Sequence, residues 1–307
     1  MFHLINGAIK FNQMKNILNI IWLSAFSLLI INKNSAQYSD VGISLGMATY
    51  WGDLNAPSFT TNMTKNSGIA IAAHYRYMFN HRFGLKASLA YGRIKGDDQY
   101  SDLSWQKQRN LDFKSHITEL GLMGEFYIFG FNTDPGSAMF APYLTAGIAS
   151  FWFDPKTTYQ GNEVRLQPLG TEGQGMPGRP DKYKTQSFSI PFGAGTKIIL
   201  TETMNIGLEV VLRRSMTDYI DDISTVYINY DDLNAANGTL AANLGNRMNE
   251  YFGQVEPVQL PTGSQRGGAK VDDYYLMTMV SFNFMFTDWK GKRVLGKSNK
   301  VTCPTFN

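Results

Sequence analysis

Between Val41 and Phe286 the chain repeats one pattern eight times, with apolar residues at every second position and small, polar or charged residues between them. Period two is the period of a β-strand, whose successive side chains point to opposite faces. Val41, Ile43, Leu45, Met47, Thr49 and Trp51 alternate with Gly42, Ser44, Gly46, Ala48 and Tyr50. Ile69, Ile71, Ala73, Tyr75, Tyr77 and Phe79 lie opposite His74 and Arg76, and Phe83, Leu85, Ala87, Leu89 and Tyr91 opposite Lys86 and Ser88. Leu120, Leu122, Phe126 and Ile128 oppose Glu119, Gly121 and Glu125. In the fifth segment, 141–153, both faces are apolar or small, so its register stays open. Phe188, Ile190, Phe192, Ala194, Ile198 and Leu200 oppose Ser189, Gly193, Gly195 and Lys197. Ile206, Leu208, Val210 and Leu212 oppose Gly207, Glu209 and Arg213, and Leu276, Val280, Phe282, Phe284 and Phe286 oppose Ser281 and Asn283.

Connections after the second, fourth and sixth strands are short, whereas those after the first, third, fifth and seventh are long, the last two spanning 154–186 and 215–273. An even number of strands with short turns at one end and long loops at the other is the pattern of a bacterial outer-membrane barrel. A soluble lipocalin-like barrel also closes eight antiparallel strands, but with apolar residues inside and charges outside. In this chain the strand charges sit opposite the continuous apolar faces. The expected fold is therefore all-β: an eight-stranded antiparallel transmembrane outer-membrane β-barrel over 37–286, with short periplasmic turns and long extracellular loops. In hydrocarbon such closure pairs every backbone amide and leaves no edge. Charged residues make up 17% of the chain, below the roughly 25% of soluble domains, as expected when one face of each strand meets lipid. Tyr50, Trp51, Tyr77, Phe79, Phe151, Trp152, Tyr274 and Phe286, near strand ends, are expected to form the interfacial aromatic girdles.

The first 36 residues read as a signal peptide: Met14-Lys15, an apolar run over 17–31, then small residues around a cleavage site near Ala36, with Met14 as the expected true start. The run is too short for the ~20 residues of a membrane-spanning helix. The leader carries Lys10, Lys15 and Lys33 and no acid, so removing it turns the +3 of the chain into zero. That removes any reason to expect a nucleic-acid partner, which calls for a clustered basic face. A single cysteine, Cys303, excludes an internal disulfide and multi-cysteine metal frameworks. No cofactor or metal is expected.

The face opposite the lipid gathers Arg76, Lys86, Glu119, Glu125, Lys197, Glu209 and Arg213. An eight-stranded barrel is just wide enough for side chains to fill it, and buried charges must pair, so these residues predict a lumen ion-pair network; a path for protons or small solutes is the alternative. Gly42-Ile43-Ser44-Leu45-Gly46 matches the G-x-S-x-G nucleophile pattern but lies inside continuous strand alternation, where the required strand-to-helix turn is absent. His74 and His116, with Ser88 or Glu119, are the residues a barrel-borne lipid hydrolase would need, and neither histidine has a sequence-local partner. No catalytic residue is assigned and the chain is read as a non-enzyme. The loop 215–273 carries a balance of −6 and no Ca²⁺-loop spacing; Asp218, Asp221 and Asp222 are its candidate docking or cation site. The segment 287–307 carries +4 through Lys290, Lys292, Arg293, Lys297 and Lys300 against Asp288 and is read as a basic periplasmic tail able to dock a partner.

Several stretches together, ATYWGDLN over 48–55, PYLTAGI over 142–148, LQPLGTEGQG over 166–175, SIPFGAG over 189–195 and TDYIDDISTVY over 217–227, resemble the DUF6089 family of Bacteroidota outer-membrane barrels. That family includes proteins similar to PorG, a barrel of the type IX secretion and gliding apparatus. The resemblance implies an outer-membrane location and a structural or docking role, with periplasmic ring or lipoprotein components of a secretion machine as partners beside outer-membrane lipid. It supplies no ring-contacting motif that can be carried over residue by residue.

Overall fold

A computed structural model describes residues 38–132, 139–268 and 272–286. The leader over 1–36 and the basic tail with Lys290, Lys292, Arg293, Lys297 and Lys300 lie outside the described residues. Eight long strands form the barrel wall: β1 (Tyr38–Trp51), β2 (Ser67–Met78), β3 (Phe83–Asp97), β4 (Asp112–Tyr127), β5 (Phe140–Trp152), β8 (Gln186–Ile199), β9 (Met204–Ser215) and β10 (Tyr274–Met285). A short hairpin, β6 (Lys156–Tyr159) and β7 (Asn162–Arg165), extends the third long loop from the wall. The wall strands pair in the order β3-β2-β1-β10-β9-β8-β5-β4, and the β3–β4 pairing closes the ring. Neighbours are antiparallel throughout, including β1 with β10, where Val41 faces Phe284 and Met47 faces Thr278. This is the closed eight-stranded barrel that the alternation predicts.

The polarity separates the two kinds of barrel. Ile43 is 72% exposed, Ile69 73%, Ile148 67% and Phe282 63%, and such residues recur on every wall strand. A belt of this extent is stable only in lipid. The intervening residues are buried with their charges, so the soluble alternative is excluded and the protein is an outer-membrane barrel. Among the described residues no helix is long and apolar enough to cross a membrane. The fifth strand also resolves: Ala141, Tyr143, Thr145, Ala149 and Phe151 point inward, Leu144 and Ile148 outward.

The short turns after β2 and β8 and the free ends of β1 and β10 share one end of the barrel, with Asp40 opposite both Met285 and Arg76. By the barrel rule this end is periplasmic. At the other end the long loops fold into an ordered cap that carries α1 (Phe59–Lys65), α2 (Ser104–Arg109), α3 (Tyr230–Asn237), α4 (Thr239–Gly245) and α5 (Met248–Phe252). Four side chains placed on the lipid face or in the girdles by alternation are instead buried there. Thr49 lies under α1, its hydroxyl 2.5 Å from that of Ser67 and 3.2 Å from the Met63 sulfur. Leu276, paired with Thr49, is 7% exposed, and Tyr50 and Phe151 point inward at 0%. Alternation assigns a face, but it cannot reveal a loop that returns to cover that face.

Candidate functional site

All seven lumen charges predicted from the sequence face the interior of the barrel, six of them buried and Glu209 at 17% side-chain exposure, and an eighth, Asp40, joins them. They form two groups. Near the periplasmic end Asp40 accepts hydrogen bonds from Arg76 at 2.8 and 3.0 Å and from Lys197 at 3.0 Å. Arg76 also approaches Glu125 at 2.7 Å; Lys86 lies 3.5 Å from Glu125 and bonds Glu209. Tyr127 donates to Glu125 at 2.7 Å, Tyr143 to Glu209 at 2.8 Å, and the Lys197 ammonium sits 4.5 Å from the Phe131 ring centre. Towards the cap Arg213 forks onto Glu119 at 2.9 and 3.2 Å, and Tyr275 donates to the same carboxylate at 2.6 Å. Four cations thus meet four carboxylates. A cavity between the two groups, bounded by Arg76, Lys86, Glu209 and Arg213, holds about 20 Å³, enough for about one water.

Of the residues considered for hydrolysis, Ser44, His74 and Ser88 line one lumen cavity, His74 directly opposite Ser88, but no hydrogen bond among the described residues joins His74 to either serine. Ser44 lies within β1 at 7% exposure, in strand geometry. His74 is held by Asn283 through Nε2 at 2.8 Å. A Cβ on Gly42 would come within 2.5 Å of both Asn283 and His74, so glycine at that position makes room for their contact. His116 faces out of the wall, stacked on Tyr91 and 2.6 Å from its hydroxyl, whereas Glu119 points into the lumen.

The acids of the last long loop correct another expectation. Asp221 and Asp222 are buried within the cap, and among the described residues no group of acids, histidines or cysteines is arranged to hold a metal. Asp222 accepts from Thr171 at 2.5 Å and from Tyr183 at 2.6 Å. Asp221 and Asp273 lie 2.6 and 2.7 Å from the Tyr50 hydroxyl, which also accepts from the Asp53 amide at 2.9 Å. A phenol has one proton to donate, so one of these two carboxyls must be protonated and donate in turn. Burial, reinforced by neighbouring acids (Asp273 and Asp53 beside Asp221, Asp218 and Asp53 beside Asp273), pushes both well above the usual carboxylate range. Burial likewise raises Asp222 to about 6 and Asp218 to about 7. Asp218, half-buried, leaves one carboxylate oxygen without a partner. Asp221 and Asp222 are internal fastenings of the cap, too enclosed to present a docking face.

Two arginines the sequence reading passed over tie the four loops together. Arg109 forks onto Asp98 at 2.7 and 2.8 Å and donates to the carbonyls of Asp53 and Arg266. Arg266 donates to Glu172 at 2.9 Å and to the carbonyls of Asp222 and Gly245. Glu172 in turn accepts from the amides of Ser224 and Thr225. Three of the stretches that carry the family resemblance, 48–55, 166–175 and 217–227, converge in this knot.

The family model described as "Domain of unknown function (DUF6089)" matches residues 19–243. No curated protein matches the chain. Among solved structures the chain is similar to neisserial surface protein A, at 12% identity over 81% of this chain and 97% of that chain, with a TM-score of 0.37. It is also similar to the outer-membrane protein OprG of Pseudomonas aeruginosa, at 13% identity over 82% and 99%, TM-score 0.35. Ail, the attachment invasion locus protein of Yersinia pestis, matches at 11% identity over 81% and 99%, TM-score 0.35.

Proposed function

We propose that this chain, which belongs to the DUF6089 family, serves as a structural and docking component of the outer membrane, of the PorG-like kind that takes part in type IX secretion or gliding in Bacteroidota. The observation that carries the reading is the filled lumen. With its charges paired across the barrel and room for about one water between them, the interior supports rigidity over passage, and function falls to the surfaces at its two ends.

At the extracellular end α2 packs against α5, and the two present Trp105, Tyr251 and Phe252 to solvent at 48% exposure each, beside Leu103 at 51% and Val255 at 92%. Exposed aromatic and aliphatic residues on a rigid, ordered scaffold favour contact with another protein. At the periplasmic end the tail bearing Lys290, Lys292, Arg293, Lys297 and Lys300 supplies cations for an acidic partner, with periplasmic ring proteins or lipoproteins as the partners proposed. Affinity capture from solubilised membranes, read beside secretion in a deletion strain, tests this. Recovery of periplasmic ring components together with impaired secretion is the expected result. Loss of the gene with secretion intact and no ring component recovered would overturn the secretion role.

A further inference from the structure

On the outer face of the wall, just above the apolar belt, the register sets like charges against one another. Lys95 on β3 lies directly opposite Lys114 on β4, and Lys114 lies directly opposite Lys156 on β6, while Arg93 faces His116 one pair below. Like charges placed directly across a ladder repel. Lys156 is relieved by Glu163 at 2.8 Å. Arg93, Lys95 and Lys114 enter no ion pair among the described residues.

The three free cations line a recess of about 480 Å³ whose lower wall is Ile69, Ile71 and Tyr91. Its shape comes from β2. Ser67 pairs with Ile94 but Ala70 pairs with Gly92, so β2 carries one extra residue opposite Arg93, a bulge that bends the strand and re-aims its side chains. Gly68 permits the bend, since a Cβ there would lie 2.4 Å from the Arg93 carbonyl oxygen. Ile69 at 73% and Ile71 at 50% exposure continue the lipid-facing belt, and the cations begin where it ends, on the side of the long loops. The recess is therefore amphipathic along the membrane normal: hydrocarbon below, a headgroup-level anion site above.

We propose that this recess binds a phosphorylated lipid of the outer leaflet, with its phosphates between Arg93, Lys95 and Lys114 and its acyl chains against Ile69, Ile71 and Tyr91. A phosphate between the facing lysines converts their repulsion into charge-assisted hydrogen bonds. Arg93 adds the planar fork suited to phosphate oxygens. The apolar lower wall requires that the anion carry acyl chains, so the site takes a lipid in preference to a free anion.

Native mass spectrometry of the purified full-length protein in micelles tests this, with lipid A, an acylated glucosamine disaccharide carrying two phosphates, as the probe. Wild type is expected to bind lipid A at least about tenfold more tightly than R93Q/K95Q/K114Q, while both migrate as folded, heat-modifiable barrels. Enzymatic removal of the lipid phosphates should lower wild-type binding to the level of that variant. A second variant, I69N/I71N, should weaken lipid A binding and leave the cations in place. Equal binding by wild type and the triple variant, or equally tight binding of an acyl-free glucosamine bisphosphate, would overturn the proposal.

Discussion

The lumen and the cap are both polar interiors, and they reach neutrality by different routes. Inside the wall Asp40, Glu119, Glu125 and Glu209 face Arg76, Lys86, Lys197 and Arg213, one carboxylate for each cation. Among the described residues of the cap, Asp98, Glu172, Asp221, Asp222 and Asp273 are buried with only Arg109 and Arg266, and the shortage of positive charge is made up by protons, as the hydroxyl of Tyr50 between two carboxyls requires. The contrast follows from surroundings. A lumen ringed by hydrocarbon has to be neutral without exchanging protons with bulk water, whereas a cap in the extracellular medium can hold acids whose charge depends on pH.

The largest expected effect lies in the lumen. Arg213→Ala leaves Glu119 buried with only Tyr275 as partner, and breaking a buried pair in this way costs about 3–5 kcal/mol; urea unfolding in micelles, followed by gel mobility, should show that loss. A smaller and more local effect is expected from Arg266→Met. It removes the link between Glu172 and the carbonyls of Asp222 and Gly245, so limited proteolysis should cut within 216–268 while the barrel core still migrates as folded. If the whole barrel instead loses heat-modifiable migration, the cap and lumen are one cooperative unit and the comparison fails.

A third test uses pH. Folded-state values raised above the ordinary aspartate range mean that the folded cap binds more protons than the unfolded chain between about pH 4 and about 7, the window set by Asp222 and Asp218. Stability then falls as pH rises through that window. Cap amides should exchange faster at pH 8 than at pH 5 after correction for intrinsic rates. The smallest effect is expected from Tyr50→Phe, which removes a hydrogen bond that lowers both acids and leaves Asp221 bonded to the Ile223 amide and Asp273 to the Ile220 amide; it should steepen the pH dependence of cap exchange while barely lowering barrel stability.

The wall was legible in the sequence because a strand writes its two faces at period two, and seven of the eight lumen charges were legible because they interrupt the polar face of an otherwise apolar alternation. Asp40 escaped because it precedes Val41, where the apolar face begins. The cap was not legible. Arg266 and Glu172 are 94 positions apart, and the two carbonyls bonded by Arg109 lie 56 and 157 positions away, so no local periodicity connects them. The same loops explain why Asp221 and Asp222, which with Asp218 read as a candidate docking or cation site, are drawn into an interior. The facing lysines outside β3 and β4 needed the register, which period-two patterning does not supply.

The claim on which these readings rest is that the barrel is closed by its own ion pairs and works through its surfaces. Planar-bilayer recording of the purified protein tests it most directly. The expected trace shows no conductance steps above the bare bilayer, for wild type and for Glu125→Gln alike. Discrete steps in wild type whose size changes when Glu125 or Arg213 is neutralised would contradict the account and make the barrel a conduit.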